Sequence, residues 1–224
     1  MMNAVKRWTA VLSLALCACG SSEVPLPSVV SVTPPSMAAN ESVLLTVQLD
    51  QAPPPKFDYG NSSAELPTSV RVTIGEREFE VSQVQELGKR LVVELPSELP
   101  VGPQEFQVKF ADGRKAMFES GFEVKPPLNI TELSIDPVST QVRQKKFTIR
   151  IRVAGPDAEL FQGRVKLSAS KGTITPIVSD VPFSQGICMQ PVILDDTSGS
   201  NVTITVEDFA GHSYTSNDFR LNPN

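Results

Sequence analysis

The histidine at position 212 is the only one in the chain, and it stands in Ala210-Gly211-His212-Ser213, a turn leading into the last apolar run. General acid–base or nucleophilic catalysis needs a base held beside a nucleophile or a second carboxylate. No Ser/His/Asp or Cys/His spacing surrounds His212, and one histidine cannot supply the ligands of a zinc site. Oxygen ligation of calcium is the second possibility. Asp195-Asp196 before Thr197-Ser198-Gly199, and Glu207-Asp208 beyond the next run, carry carboxylates of that kind. Adjacent acids at hairpin ends more commonly cap backbone amides, and that role is expected of them. No glycine-rich loop that would cradle a phosphate is present. The chain reads as a non-enzyme with no metal and no cofactor.

Two further groups carry binding chemistry rather than bond-breaking chemistry. Arg143, Lys145, Lys146, Arg150 and Arg152 form the one basic cluster. On a strand, Lys146, Arg150 and Arg152 share a face opposite Phe147, Ile149 and Ile151. That face suits an acidic polymer such as an envelope polysaccharide, or an acidic partner. It equally suits a solvated strand whose charges discourage edge pairing. The stretch from Gln51 to Ser69, about 19 residues, shows no periodicity, and loops of that length are usually functional or disordered. Pro53-Pro54-Pro55 stiffens one limb, while Phe57 and Tyr59 offer aromatic surface beside Gly60-Asn61-Ser62-Ser63. Rigid aromatic side chains are typical contact anchors, so recognition is expected in this loop, although the same rings would also fold back onto a core.

Cysteine chemistry concerns the N-terminus. Lys6 and Arg7 precede the short apolar run Trp8 to Leu16, which ends in Leu16-Cys17-Ala18-Cys19-Gly20. A membrane-spanning helix needs about 20 apolar residues, more than this run provides. The segment resembles the lipobox of bacterial lipoproteins, with an aliphatic residue at −3, a small one at −1 and then the cysteine that takes the lipid. The resemblance implies cleavage after Ala18, lipidation at Cys19 and attachment to the bacterial envelope, with the outer membrane as the expected site. An ordinary secretory signal cut near Ala18 would instead leave Cys19 a plain thiol. With Cys17 removed and Cys19 lipidated, Cys188 is the one thiol left, so no intramolecular disulfide is expected. Its Gly-Ile-Cys-Met-Gln context marks a small core residue.

The elements that must carry these groups are strands. The chain has 224 residues, of which 40% are hydrophobic, 20% charged and 19 are prolines. That composition favours short strands and many turns over long helices. The formal net charge is −5, and loss of Lys6 and Arg7 leaves 18 basic against 25 acidic side chains, a net −7. Such a balance gives no general attraction to nucleic acid or to anionic lipid. Val43, Leu45, Val47 and Leu49 alternate with polar positions, as do Val70, Val72 and Ile74, and Leu91, Val93 and Leu95. Phe147, Ile149, Ile151 and Val153 repeat the pattern in the second half, with Val202, Ile204 and Val206 after them. Period-two alternation predicts half-buried strands with one face on a core. Lys125-Pro126-Pro127 is the expected boundary, because two prolines offer no donor and stop a strand.

The expected fold is all-β, with two tandem immunoglobulin-like β-sandwiches after a cleaved lipoprotein signal. Its parts are a signal over 1–18, a tether over 19–27 and modules over 28–125 and 126–224. Residues 28–125 resemble an IPT/TIG domain through Val30-Ser31-Val32-Thr33-Pro34-Pro35-Ser36, Val70-Arg71-Val72-Thr73-Ile74-Gly75, Val92-Val93-Glu94-Leu95-Pro96 and Phe122-Glu123-Val124. Residues 126–224 are similar to bacterial Ig-like repeats through Gly163 to Gly172 and Asn201 to Gly211. These resemblances imply a sandwich fold and, for function, a non-enzymatic module for protein–protein contact, adhesin-like or part of an envelope scaffold. The alternative partner is an acidic polysaccharide on Lys146, Arg150 and Arg152.

Overall fold

The computed structural model describes residues 25–53, 56–58, 63–65, 70–195 and 201–224. Cys17, Cys19 and the apolar run before them lie outside these residues. The first module opens with β1 (Val29–Thr33) and β2 (Ser36–Ala38), separated by Pro34-Pro35, which cannot donate to a ladder. β3 (Val43–Leu49) follows, then a hairpin of β4 (Lys56–Asp58) and β5 (Ser63–Glu65). After these come β6 (Arg71–Ile74), β7 (Arg77–Gln85) and β8 (Arg90–Leu95). β9 (Gly102–Gln104), β10 (Phe106–Lys109), β11 (Lys115–Met117) and β12 (Phe122–Lys125) complete the module.

One layer orders as β1-β3-β8 and takes the second half of β7; the other takes the first half of β7 with β6, β10 and β11. A register shift between Val81 and Gln83 marks where β7 leaves one layer for the other. β2 runs parallel to β12, so the opening strand is shared between layers and its second part lies beside the last strand. That arrangement is immunoglobulin-like.

The second module repeats the plan. Its strands are β13 (Glu132–Ile135), β14 (Gln141–Val142), β15 (Lys146–Ala154), β16 (Lys166–Ala169) and β17 (Thr173–Thr175). β18 (Ile187–Asp195), β19 (Asn201–Val202), β20 (Ile204–Glu207), β21 (Ser213–Thr215) and β22 (Phe219–Asn222) follow. β13-β15-β18-β17 forms one layer, while β16-β20-β21 and β14-β22-β19 form the other. β14 is again parallel to the last strand.

Each sandwich has its own core, one drawn from Val32 to Val124 and the other from Ile130 to Leu221. The alternation seen in sequence is the cause. Leu45, Val47 and Leu49 are buried on β3 while Leu44, Thr46 and Gln48 face outward, and Ile149, Ile151 and Val153 are buried on β15. Each such buried side chain contributes about 1.5–3 kcal/mol. The stretch 51–69, which shows no periodicity in the sequence, departs from a plain loop. It contains the β4–β5 ladder, with Lys56 opposite Glu65 and Phe57 opposite Ala64. Three-residue strands are too short for alternation to register.

Candidate interaction surfaces

Groups able to do chemistry are already engaged in structure. His212 Nδ1 sits 2.8 Å from Asp208 Oδ2, and Asp208 Oδ1 accepts the backbone N–H groups of Ala210 and His212 at 2.9 and 2.8 Å. Asp208 is 3% exposed, so this acid folds the turn between β20 and β21, as expected of acids at hairpin ends. Cys188 is buried, and its Sγ donates to the Val181 carbonyl at 3.3 Å. Burial, with Asp180 nearby, pushes the thiol up to about 11, far from a reactive thiolate. Among the described residues no group of three His, Cys, Asp or Glu side chains is placed to hold a metal. Asp196 lies outside them.

The basic face is built by β15. Lys146, Thr148, Arg150 and Arg152 point outward, opposite Ile149, Ile151 and Val153. The charges are partly answered on the same sheet. Arg152 grips Asp136 with two hydrogen bonds, Nε to Oδ1 at 2.7 Å and Nη2 to Oδ2 at 3.0 Å, and Arg150 Nε lies 3.7 Å from Asp136 Oδ2. The hydrogen bond from Arg152 holds the Asp136 carboxyl below its usual value. Arg143 approaches Asp195 at 3.9 Å. Next to this row, β18 exposes Met189 and Ile193, 52% and 38% accessible, directly opposite Arg150 and Lys146 in the ladder. The cations stand out in the sequence and their apolar neighbours do not, because Met189 and Ile193 sit in a run of nearly continuous hydrophobicity.

Phe57 lies on β4, but its side chain and the whole of Tyr59 lie outside what the structure describes. The base of that loop is described. Asp50 accepts Ser28 N and Oγ, both at 2.8 Å, which ties the entry of the chain to the end of β3 and lowers the Asp50 pKa.

A third surface lies between the modules. Glu41, in the turn before β3, is 3% exposed. Its Oε2 accepts Ala38 N at 2.9 Å within the first module, and its Oε1 accepts Gln162 N and Gly163 N of the second at 2.6 and 2.8 Å. Burial raises the Glu41 pKa, opposed by those three amides. The fit requires glycine at 163, where a Cβ would lie 2.9 Å from the Phe161 ring and 3.2 Å from Glu41 Cγ. Arg164 N donates to the Ser42 carbonyl at 2.8 Å, and Arg164 Nη1 meets Glu94 Oε1 at 2.7 Å. Asn40 closes the linker side by exchanging two hydrogen bonds with the Leu128 backbone, at 2.8 and 3.0 Å.

Beside this joint runs a groove of about 710 Å³. Its floor is the outer face of the first module's β1-β3-β8-β7 layer, including Thr46, Val92 and Gln83; its wall is the second module's Phe161 to Arg164 and Ser179 to Gln185. The wall is rigid. Phe161 and Phe183 pack edge-to-face with centroids 4.9 Å apart, and the fully buried Gln190 side chain bonds Asp180 N, Val181 N and Asp180 Oδ1. Nothing in the sequence signals Glu41: in Ala39-Asn40-Glu41-Ser42 it looks like a solvated turn.

No family model matches the chain, and no curated protein matches it. Among solved structures, the extracellular region of plexin A4 aligns over 99% of this chain at 10% identity and a TM-score of 0.45. This chain spans about a fifth of that protein (20%). The Yersinia pseudotuberculosis adhesin InvE aligns over 85% of this chain and 57% of its own at 12% identity, with a TM-score of 0.37. Domains 4 and 5 of the S-layer protein SbsC align over 56% and 68% at 16% identity, with a TM-score of 0.33. At such scores the fold assignment rests on strand order, which defines the chain as a pair of immunoglobulin-like β-sandwiches.

Proposed function

We propose that this protein is a non-enzymatic lipoprotein of the bacterial envelope, held through Cys19, that presents two coupled immunoglobulin-like modules for contact with another protein. An IPT/TIG-like first module and a bacterial Ig-like second module fit the strand plan. The observation that carries the reading is the outer face of β13-β15-β18-β17. There the cationic row Lys146, Arg150 and Arg152 runs beside exposed Met189 and Ile193. Exposed apolar side chains in a contiguous patch rimmed by polar groups are a mark of protein contact. Asp136 and Asp195 offset part of the positive charge, which favours a protein with a matching mixed surface over a uniformly acidic polysaccharide.

The test is photo-crosslinking in intact cells from a benzophenone amino acid at Thr148, which lies in the cationic row of β15 and faces Pro191 of β18 across the ladder. A discrete adduct with one envelope protein is expected, lost in Met189→Glu and weakened in Arg150→Glu. An adduct that survives Met189→Glu would refute the protein-contact reading at this face. Retention on acidic polysaccharide that falls steeply with salt and disappears in Lys146→Glu/Arg150→Glu would establish the polysaccharide alternative instead.

A further inference from the structure

We infer that the end of the first module where the chain enters it seats on the lipid surface, with Leu87 at its tip dipping into the acyl–headgroup boundary. The inference rests on the reading of Cys19 as the lipid-bearing residue. Cys19 precedes Pro25 by six residues. An extended chain spans at most about 3.3–3.6 Å per residue, which holds the lipid within about 20 Å of Pro25. The Pro25 carbonyl accepts Gln51 Nε2 at 3.1 Å, and Ser28 is tied to Asp50, so the entry is fixed beside the end of β3. The tip of the β7–β8 hairpin stands at the same end. Leu49 N donates to the Lys89 carbonyl at 2.7 Å, and Gln48 faces Arg90 in the ladder.

The hairpin tip holds an apolar side chain out in the open. Glu86 and Leu87 have φ of 51° and 57°, the left-handed region that glycine, asparagine and aspartate enter more readily. Gly88 follows at φ 97°, and a Cβ there would lie 3.0 Å from Pro53 Cδ, so the turn is propped against the buried Pro53. Leu87 is 81% exposed, so packing within the chain does not account for a leucine in that conformation. Leu26, Val30 and Val84 are exposed at the same end, Leu26 beside the entry and the two valines on rungs close to it. The module's other exposed large apolar side chains, Val101 and Met117, lie toward the opposite end. Apolar groups spread around a convex rim, rather than gathered into a pocket, match a fluid interface. Exposed Lys89 beside Leu87 sets an ammonium at headgroup level, while Glu86 is answered by Arg90 at 3.9 Å. Asn40 joins Leu128 at the far end of the layer, so this seating turns the linker to the second module away from the bilayer.

The test uses the lipidated protein in phosphatidylcholine vesicles, its lipid verified by mass. Loss of Trp8 with the signal leaves the chain without tryptophan, so Leu87→Trp is a single fluorophore. Its emission should shift to the blue on vesicles and be quenched by acyl chains brominated near the headgroup. Ile177→Trp, at a residue 72% exposed on the second module, should show neither effect. In the unsubstituted protein, hydroxyl radicals should oxidise Leu87 far less on vesicles than in soluble Cys19→Ala, with Met189 oxidised equally in both. Water-exposed emission from Leu87→Trp in a chain that carries the lipid would overturn this seating alone. A chain without lipid at Cys19 would overturn the anchor reading and the seating with it. Shielding of Leu87 that requires an added envelope extract would overturn the lipid surface in favour of a protein partner.

Discussion

Removing the Glu41 carboxylate should uncouple the two modules without unfolding either. Glu41→Ala strips the acceptor from three amides, Ala38, Gln162 and Gly163, at a position only 3% exposed. A buried donor left unpaired costs about 1–3 kcal/mol, so three such losses set an upper range of about 3–9 kcal/mol. Two effects reduce it. The variant no longer desolvates a carboxylate, itself a penalty of several kcal/mol, and water reaching Gln162 from the groove can replace part of the bonding. A net loss of about 2–4 kcal/mol is expected, most of it on the joint, since two of the three lost bonds cross between the modules and the third, to Ala38 N, lies within the first. Calorimetry should show one coupled transition in the wild type and two in the variant, and small-angle scattering should show a larger radius of gyration. Gly163→Ala should act in the same direction by driving a Cβ into Phe161 and Glu41. The pH dependence is fixed in sign. Burial raises the folded-state pKa of Glu41, so below that value the native state binds a proton more tightly than the unfolded chain. The deficit of Glu41→Ala relative to wild type should therefore widen as pH falls through the range just above the ordinary carboxyl value. A variant that melts in one transition within about 0.5 kcal/mol of wild type would refute the reasoning, since that is the size of an ordinary surface substitution.

Cys19→Ala is expected to move the protein from the membrane to the soluble fraction, checked by detergent phase partition; undiminished partition would count against lipidation at that residue. Cys188, buried with its thiol pushed up to about 11, should resist iodoacetamide at pH 8 until the protein is unfolded, and melting should be the same with and without reductant. Rapid labelling of the native protein would contradict the packing of β18. Arg152→Ala should return the Asp136 carboxyl toward its ordinary value in an NMR titration. In the wild type its lowered pKa adds stability that is present above the ordinary value and lost as pH falls through the folded one.

The sandwiches were legible because their cores follow a local rule. Leu91, Val93 and Leu95 alternate in the sequence and each is fully buried. The rule fails at Val92. It lies between Leu91 and Val93 and so points to the outer face, yet it is only 7% exposed, because that face is the floor of the inter-module groove. Burial there comes from residues 161–185, some 70–90 positions away, and no periodicity encodes it. Glu41 and Gly163 are opaque for the same reason. Each looks like an ordinary turn residue, and only their approach across the joint makes one a clamp and the other obligatory. The cationic face of β15 was readable from its own strand. Its chemical character was not, since Met189 and Ile193 reach it through register with β18.

The two modules put the same layer to different uses, and the contrast bears on where a partner binds. In each, one layer, β1-β3-β8 with part of β7 in the first and β13-β15-β18-β17 in the second, has outward side chains that are not all polar: Leu44 and Val92 in the first, Met189 and Ile193 in the second. In the first module that surface is shielded by the wall from Phe161 to Gln185, held down by Glu41 and Arg164. Val92 has almost no contact with solvent as a result. The equivalent surface of the second module has no such cover among the described residues, and Met189 remains half accessible. One fold therefore shows both states of the same face, covered and bare. The covering of the first is specific, made by hydrogen bonds to a buried carboxylate and an arginine pair at 2.7 Å. The bare face carries the ingredients for a comparable contact, an apolar row with ionic groups along one side. If burying Met189 and Ile193 is what a partner does, replacing both with threonine should abolish its capture while leaving the melting of the isolated protein within about 0.5 kcal/mol, the ordinary range for surface sites. A large drop in stability would instead mean that the two side chains already pack within the chain, and that this face is not the docking surface.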